Sequence, residues 1–312
     1  MRQSLAALAA GVLALASTSA LAQPATACPP MLPNAAKADS AGTARDRGLL
    51  WRLTRDGRTS YLYGTLHIGK PAWRRLGPQL GAALRASDVL ALEIDPSDPA
   101  LLAALAELRH GAELPAALAE RLKRAYARAC VAPESLAELH PVLQATTLTV
   151  LEARWLGMDP SYAMEQLLGS EARALGRRVL SLETAAQQKA ALVPDNDAEA
   201  QAVIEQSLQQ LEDRSTRRVL ARLAAAWEAG DLAALDDYEA WCECIADEDD
   251  RAFMRRLNDE RNPLLADGIA ALHRQGRRVF AAVGALHMTG PQSLPRLLQA
   301  RGFRVERLPF GR

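Results

Sequence analysis

Two segments of this 312-residue chain follow the same order of features, and this repeat restricts the folds that are possible. In each segment an apolar run ends in Gly-x-Leu-His, a glycine and a proline follow, and then come a helix and a second strand. The first run ends at His67 and leads to a strand that holds Glu93. The second ends at His287 and leads to a strand that holds Glu306. The repeat predicts two β-α-β halves that share one sheet.

The chain between the two halves has a different pattern. In residues 99–275 Ala and Leu recur at three- and four-residue spacing, which is typical of amphipathic helices, and one strand near 178–183 interrupts them. Before the first half, strands at 49–54 and 59–67 flank Asp56-Gly57, a strong hairpin signal. We therefore expect an α/β (α+β) fold in a single domain over 47–312. It has one central mixed sheet, flanking helices and a long helical insertion.

The N-terminus has the features of a secretory signal peptide. Arg2 precedes an apolar run, and small residues at 20 and 22 form a cleavage site, so 1–22 is predicted to be removed. The run is shorter than the ~20 residues of a membrane-spanning helix, and we expect no stable span after cleavage. Residues 23–46 are predicted to form a loose leader. The protein is expected to be exported to the periplasm, with secretion or a lipid anchor on Cys28 as alternatives.

The charge of the chain is balanced. It has 37 basic and 37 acidic residues, and loss of the signal peptide removes only Arg2 from this balance. A neutral chain has no net field to attract nucleic acid, so nucleic acid is not an expected partner. The sequence does not indicate an oligomeric state.

Four cysteines in an exported chain favour disulfide bonds. Cys242 and Cys244 are only two residues apart, so we expect each of them to bridge to a distant partner. Cys28 and Cys130 are the candidates for those partners. A metal site at the Cys-x-Cys step is the alternative, but no histidine neighbours it.

His67 and His287 differ from the other histidines because they occupy equivalent places in the repeat. The glycines three residues before them, Gly64 and Gly284, let the backbone pass close to a ligand. The turn after each histidine, which holds Gly290 in the second copy, starts a helix whose N-terminus favours an anionic group. The remaining histidines lie in helical stretches and are interpreted as structural: His110, His140 and His273.

Two glutamates accompany these histidines. Glu93 lies inside one apolar strand and Glu183 ends another, and a buried carboxylate requires a cation or several hydrogen-bond donors. In open sheets ligands bind at the carboxyl ends of the strands. We therefore predict a site for a divalent metal such as manganese, cobalt, zinc or iron, formed by His67, Glu93, Glu183 and His287. The alternative is that each glutamate pairs with an arginine.

A polar cluster opens the last helical segment. Asn262 can cap a helix that begins at Pro263. Alternatively, Arg261 and Asn262 can bind a carboxylate of the site or a substrate oxyanion. The spacing leaves both interpretations open. Motifs of serine hydrolases, zincins and nucleotide-binding proteins (GxSxG, HExxH, Walker loop, GxGxxG after a strand) are absent.

Five motifs in this order resemble the TraB/GumN family, which includes the Tiki-type proteases of animals. They are YLYGTLHIG at 61–69, LEID at 92–95, LET at 182–184 with Gln187 or Gln188 behind it, ERN at 260–262, and VGALHM at 283–288 with Gly290. Each motif alone has little specificity, but five in order have much more. The similarity extends from about Leu49 to Leu308.

The resemblance implies a fold similar to that of erythromycin esterases and of a haem-binding iron-uptake group. In the Tiki-type members two Gly-x-x-His histidines and a glutamate are tied to peptidase activity with manganese or cobalt, and these match His67, His287 and Glu93. It therefore implies a divalent-metal-dependent hydrolase of peptides or other small substrates, with a peptidase favoured, and the signal peptide adds that the hydrolase is exported. The alternatives are a haem or small-ligand binding module, and a non-catalytic signalling or structural protein.

Overall fold

The computed structural model describes residues 28–34, 44–101, 103, 114–245 and 247–310. Six strands form one sheet: β1 (Leu49–Arg55), β2 (Arg58–Thr65), β3 (Val89–Leu92), β4 (Arg178–Ser181), β5 (Val279–Gly284) and β6 (Arg304–Leu308). Their order across the sheet is β4-β3-β5-β2-β1-β6. The first four strands in this order are parallel, and β1 is antiparallel to both of its neighbours. The predicted α/β class with one mixed sheet is confirmed.

The two halves of the repeat are interleaved in this sheet. β5 lies between β2 and β3 and is hydrogen-bonded to both, so the second Gly-x-Leu-His strand is inserted into the first half. β6, the last strand of the second half, lies at the far edge beside β1. There Glu306 forms an exposed ion pair with Arg52 at 3.4 Å. The two strands that precede the histidines, β2 and β5, therefore lie side by side, as equivalent strands of a repeat can. Glu93 and Glu306 do not occupy equivalent places, since one follows a central strand and the other lies on an edge strand.

Local sequence signals explain the strands. Asp56 and Gly57 between β1 and β2 both have positive φ, 50° and 70°, as a two-residue hairpin turn of type I′ requires. Every residue of β3 and β5 is buried, in agreement with their nearly continuous apolar sequences. These two strands form the centre of the main hydrophobic core.

The chain between β3 and β5 is mostly helical, as predicted, with β4 as its strand. Among the described residues the helices of the protein are α1 (Pro78–Arg85), α2 (Ala116–Ala129), α3 (Pro141–Leu151), α4 (Met164–Ala174), α5 (Ala185–Leu192), α6 (Asp197–Glu212), α7 (Ser215–Ala229), α8 (Leu232–Asp236), α9 (Tyr238–Trp241), α10 (Glu248–Leu257), α11 (Asn262–Arg274) and α12 (Leu294–Ala300). α4 packs against β3 and β4, and α11 packs against β5. α2, α3 and α6 share a second core. None of these described helices is long and apolar enough to cross a bilayer.

Trp227 of α7 joins the helical region to the sheet. Its indole Nε1 donates to the carbonyl oxygen of Gly64 at 2.8 Å, and the side chain is fully buried. Its ring packs against Trp73 and Tyr63, with ring centroids 4.9 and 6.5 Å away. The helical region therefore satisfies a backbone acceptor in the first Gly-x-Leu-His step.

The disulfide bonds differ from the predicted pairing. Cys28 pairs with Cys130, and Cys242 pairs with Cys244, so the expectation of two distant partners for the Cys-x-Cys step is wrong. Glu243 has a φ of 54°, and this left-handed turn brings the Cα atoms of its neighbours to 5.0 Å, within reach of a disulfide. Spacing along an extended chain did not anticipate this turn.

The first disulfide ties part of the predicted leader to the domain. Residues 28–34 lie beside α2, and the hydroxyl of Tyr162 donates to the carbonyl of Pro33 at 2.5 Å. The predicted signal peptide and the leader residues 23–27 and 35–43 lie outside the described residues.

The loop after β2 is attached to the segment that precedes α4. Met164 N donates to Leu66 O at 3.2 Å, and Gly69 and Asp159 exchange two backbone hydrogen bonds of 3.1 and 2.9 Å. These bonds hold both sides of His67 against a segment nearly a hundred residues further along the chain.

Replacement of Gly69 by Ala should lower the free energy of unfolding by about 1–3 kcal/mol, the usual cost of overpacking. A Cβ atom there would lie 2.0 Å from the backbone oxygen of Tyr162, which no side-chain rotation can relieve. Gly81→Ala is the matched control, because its Cβ would meet only the flexible end of Arg85, and Ala favours a helix by up to about 1 kcal/mol over Gly. Denaturant unfolding measures both variants. Equal effects would show that the Gly69 contact does not constrain the loop.

Candidate active site at the carboxyl ends of the strands

The four predicted ligands follow four neighbouring parallel strands. His67 follows β2, Glu93 follows β3, Glu183 follows β4, and His287 lies in a short 3₁₀ turn after β5. Because the carboxyl ends of parallel strands meet at one edge of a sheet, the structure brings these residues to the same edge. The strands end two or three residues earlier than their apolar sequences suggested, so all four side chains lie on turns.

Gly284 marks the centre of this edge. Its N–H donates to Oε1 of Glu93 at 2.6 Å. A Cβ atom at Gly284 would lie 3.1 Å from that oxygen and 3.5 Å from both Nε2 of His67 and Cδ2 of His287. The three side chains thus surround a single point, and the glycine leaves that point free. This is a physical reason for glycine in the second Gly-x-Leu-His step.

His287 is buried and its ring is fixed by Asn262. Nδ1 lies 2.7 Å from Oδ1 of Asn262, whose Nδ2 donates to Gln292 O at 2.9 Å. Since this arrangement makes Oδ1 an acceptor, Nδ1 of His287 carries the ring proton. Burial lowers the pKa of His287 to about 4, although Glu93 opposes the shift. The ring is therefore neutral at pH 7, with an unprotonated Nε2 that lies 3.8 Å from Oε2 of Glu93.

His67 is fixed through the same ring atom but has a different environment. Its Nδ1 lies 2.9 Å from Oε1 of Glu165, to which the hydroxyl of Thr65 also donates. The negative charge of Glu165 raises the pKa of His67 to about 9, and desolvation opposes the shift. Solvent reaches 66% of the His67 side chain, so this histidine forms the accessible side of the site.

Arg261 connects the two strand-borne glutamates. Its Nε and Nη2 donate to the two oxygens of Glu183 at 2.8 and 2.5 Å, and Nη2 also donates to Oε2 of Glu93 at 2.6 Å. Gln188 donates to Glu183 as well, at 2.6 Å. Burial alone would raise the pKa of Glu93, but His287, His67 and Arg261 together lower it to about 2. The sequence left two explanations for the buried glutamates, a metal ion or an arginine. In the structure both glutamates pair with an arginine, Arg261.

The two predicted roles of Asn262 are now distinguished. It is the first residue of α11, Arg261 precedes that helix, and no side chain caps it. The amide of Asn262 is completely buried and is used by His287 instead, so the cap interpretation is wrong. Arg261 binds site carboxylates, which agrees with the other interpretation.

The charges and donor atoms of the site suit a divalent cation. Glu93, Glu165 and Glu183 bring three negative charges and Arg261 one positive charge, so the group is doubly negative when both imidazoles are neutral. Two ligands of one ion with bonds of about 2.0 Å lie about 3.3 Å apart, close to the 3.8 Å between His287 and Glu93. In the part of the chain that the structure describes, no three His, Cys, Asp or Glu side chains already have the geometry of a metal site.

Glu183 fits such an ion less well than Glu93. Each oxygen of Glu93 accepts one hydrogen bond, whereas Glu183 accepts two from Arg261 and a third from Gln188. Only 2% of the Glu183 side chain is exposed. The structure thus places Glu183 beside Glu93 but on the far side of the guanidinium group.

The other candidate glycines and histidines make contacts that support the fold. Gly64 accepts the bond from Trp227, and Gly290 has a φ of 74° and donates its N–H to Asp236 at 2.7 Å. His273 is buried and lies 2.9 Å from Ser60 Oγ, as expected for a structural histidine. His140 accepts from the N–H of Val142 at the start of α3. His110 lies outside the described residues.

Sequence reasoning missed Glu165 and Thr65. Glu165 lies in the first turn of α4, about a hundred residues from His67, and no motif or spacing connects the two positions. A cavity of about 460 Å³ was not anticipated either. Leu286, the residue before His287, is among its lining residues, although none of the four predicted ligands lines it.

A model of the TraB/PrgY/gumN family matches residues 49–307 of this chain. The match covers all six strands and the complete site, except for the last residue of β6. Neither a curated protein nor a solved structure matches the chain.

Proposed function

The chain belongs to the TraB/PrgY/gumN family, and from this premise we propose that it is an exported divalent-metal-dependent hydrolase, with peptides as the favoured substrates. The resemblance to Tiki-type proteases supports the substrate class. The two disulfide bonds support export, because such bonds persist in oxidising compartments such as the periplasm. Manganese, cobalt and zinc all accept imidazole and carboxylate ligands.

One observation carries the proposal. Both histidines are held through Nδ1, His287 by Asn262 and His67 by Glu165, and both rings border the point beside Gly284 where Glu93 also lies. Metal-binding histidines are commonly held in this way, with the second ring nitrogen bonded to a carboxylate or carbonyl group. We assign His67, His287 and Glu93 as the residues that hold the ion.

A divalent cation at this point would supply a Lewis acid and lower the pKa of a water molecule. The chain's own groups have complementary roles. Glu93, whose pKa is lowered to about 2, is an ionised carboxylate that suits the role of a ligand better than that of a general base, and His67 is the solvent-accessible side of the site. Four of the five N–H donors of Arg261 are used by Glu93, Glu183 and Leu257 O, which leaves one on Nη1 for a substrate oxyanion.

Removal of both histidines should weaken metal binding by more than the 10–100-fold typical of residues that only support a ligand. Calorimetric titration of the chelator-treated protein with Mn²⁺, Co²⁺ and Zn²⁺ would compare the wild type with the His67→Ala, His287→Ala double variant. His140→Ala is the control, since this residue lies at the start of α3 and contacts none of the site residues. Equal affinities of wild type and double variant would rule out the assignment of the ligands.

Hydrolysis of a peptide panel, measured before and after chelation, tests the reaction itself. Loss of turnover on chelation and its recovery with one of the three ions are expected. Turnover that persists without metal would instead indicate that the neutral His287 and the protonated His67 act as base and acid. A His67-dependent shift of the haem Soret band with no hydrolysis of any peptide would favour the ligand-binding alternative.

A further inference from the structure

We propose that Glu165, supported by Thr65, is a positioning residue that holds His67 in its Nδ1–H tautomer and thereby directs Nε2 towards Glu93. The proposal concerns a residue that lies outside all five sequence motifs. The part of it that concerns metal affinity rests on the function proposed above, whereas the tautomer of His67 can be measured without any ion.

His67 requires such a partner because packing does not fix its ring. The residue lies beyond the end of β2, and solvent reaches two thirds of its side chain, 66%. An exposed imidazole on a turn can rotate about χ1 and χ2 unless a hydrogen bond holds it. The polar contact of this ring is the 2.9 Å bond between Nδ1 and Glu165.

The backbone around Glu165 is well placed for this role. Met164, the preceding residue, donates its N–H to Leu66 O, so the residues just before the two partners are joined directly. Glu165 lies in the first turn of α4, where the helix dipole stabilises a negative charge. Thr65 donates to the same carboxylate oxygen that His67 contacts, and this restrains the side chain of Glu165 from the strand side.

A role in stability alone does not explain why a glutamate occupies position 165. Its second oxygen, Oε2, is buried and has no hydrogen-bond partner. Its first oxygen, Oε1, accepts from the hydroxyl of Thr65 and from Nδ1 of His67, as an ionised carboxylate does. A buried carboxylate oxygen without a partner costs free energy that an apolar residue would avoid. What the carboxylate provides is a hydrogen-bond acceptor that orients the imidazole of His67.

The arrangement also matches the other histidine. Asn262 accepts from Nδ1 of His287, and Glu165 accepts from Nδ1 of His67, so Nδ1 carries a proton in both rings. The two acceptors come from different helices, α11 and α4, and they differ in charge. The amide of Asn262 binds the buried ring of His287, and the carboxylate of Glu165 binds the exposed ring of His67.

The test is the tautomer of His67, read from ¹⁵N chemical shifts in long-range ¹H–¹⁵N spectra of the metal-free protein. Spectra are recorded at the pH at which the ring has become neutral in each variant. The wild type and Glu165→Gln, which keeps an acceptor, should show Nδ1–H. Glu165→Ala should change to Nε2–H, the form that an unrestrained histidine prefers. Gln166→Ala, the exposed neighbour on the same helix, is the control and should match the wild type.

The wild type alone can overturn the proposal, so it stays falsifiable even if Glu165→Ala does not fold. A wild-type His67 in the Nε2–H form contradicts it, as does a folded Glu165→Ala variant with an unchanged tautomer. Zn²⁺ titration provides the second readout, in which Glu165→Ala should bind about 10–100-fold more weakly than the wild type. If the wild type binds no ion, the proposed function fails while the tautomer result stands independently.

Discussion

Replacement of Arg261 by Met should lower the free energy of unfolding by about 3–5 kcal/mol, the cost of removing one partner from a buried ion pair. The guanidinium group donates to both Glu93 and Glu183, whose side chains are only 9% and 2% exposed. Methionine fills a similar volume without a charge, so the two carboxylates would remain close together and unpaired. Urea unfolding at pH 7 would measure the loss.

Arg278 provides the matched control for this variant. It forms a comparable pair with Asp88 at 2.6 Å, but its side chain is 49% exposed, and exposed pairs contribute about 0–1 kcal/mol. Addition of Glu183→Gln to Arg261→Met should recover part of the lost stability, because a neutral amide replaces one buried charge. Similar losses for Arg261→Met and Arg278→Met would show that burial of the carboxylates is not the cause.

Loss of the Cys28–Cys130 disulfide should be the other large effect. The bond joins residues 102 positions apart, and closure of a loop of about 100 residues restricts the unfolded chain by about 4.7 kcal/mol. The Cys242–Cys244 bond closes a loop of three residues, for which the same relation gives about 1.6 kcal/mol. The Cys28→Ser, Cys130→Ser variant should therefore unfold at much lower denaturant concentration than Cys242→Ser, Cys244→Ser.

Unfolding of the two double variants under non-reducing conditions tests this order. The wild type in the presence of a thiol reductant should unfold at the same denaturant concentration as a variant in which all four cysteines are replaced by Ser. A greater loss from the Cys-x-Cys pair would indicate that its local turn, rather than the entropy of the unfolded chain, determines the contribution of a disulfide in this protein.

The positions of the strands along the chain could be predicted from the sequence, but their order in the sheet could not. Apolar runs located all six strands, and Asp56-Gly57 located the hairpin, because both depend on neighbouring residues. The order of the strands was not predictable. The sequence repeat was consistent with halves placed side by side, whereas the structure inserts β5 between β2 and β3. Strand order depends on which buried faces fit together across the whole domain.

The candidate site was likewise predicted in part: the sequence identified its residues but not their contacts. The duplicated Gly-x-Leu-His step identified His67 and His287, and the apolar surroundings identified Glu93 and Glu183, so the sequence named four residues that the structure brings to one edge. It left open whether the glutamates pair with an arginine, and the contacts of Arg261 answer that question. The cysteine pairing was wrong because a single left-handed residue, Glu243, reverses the chain between its neighbours.

Sequence alone thus located the six strands and the polar side chains near their carboxyl ends, since these properties depend on local periodicity, although it placed those ends two or three residues too late. Only the tertiary structure decided what each of these side chains contacts. His67 meets Glu165 across about a hundred residues, and His287 meets Asn262 across 25. Such contacts follow from packing α4 and α11 on the sheet, and no local pattern encodes the distance between two residues that folding brings together.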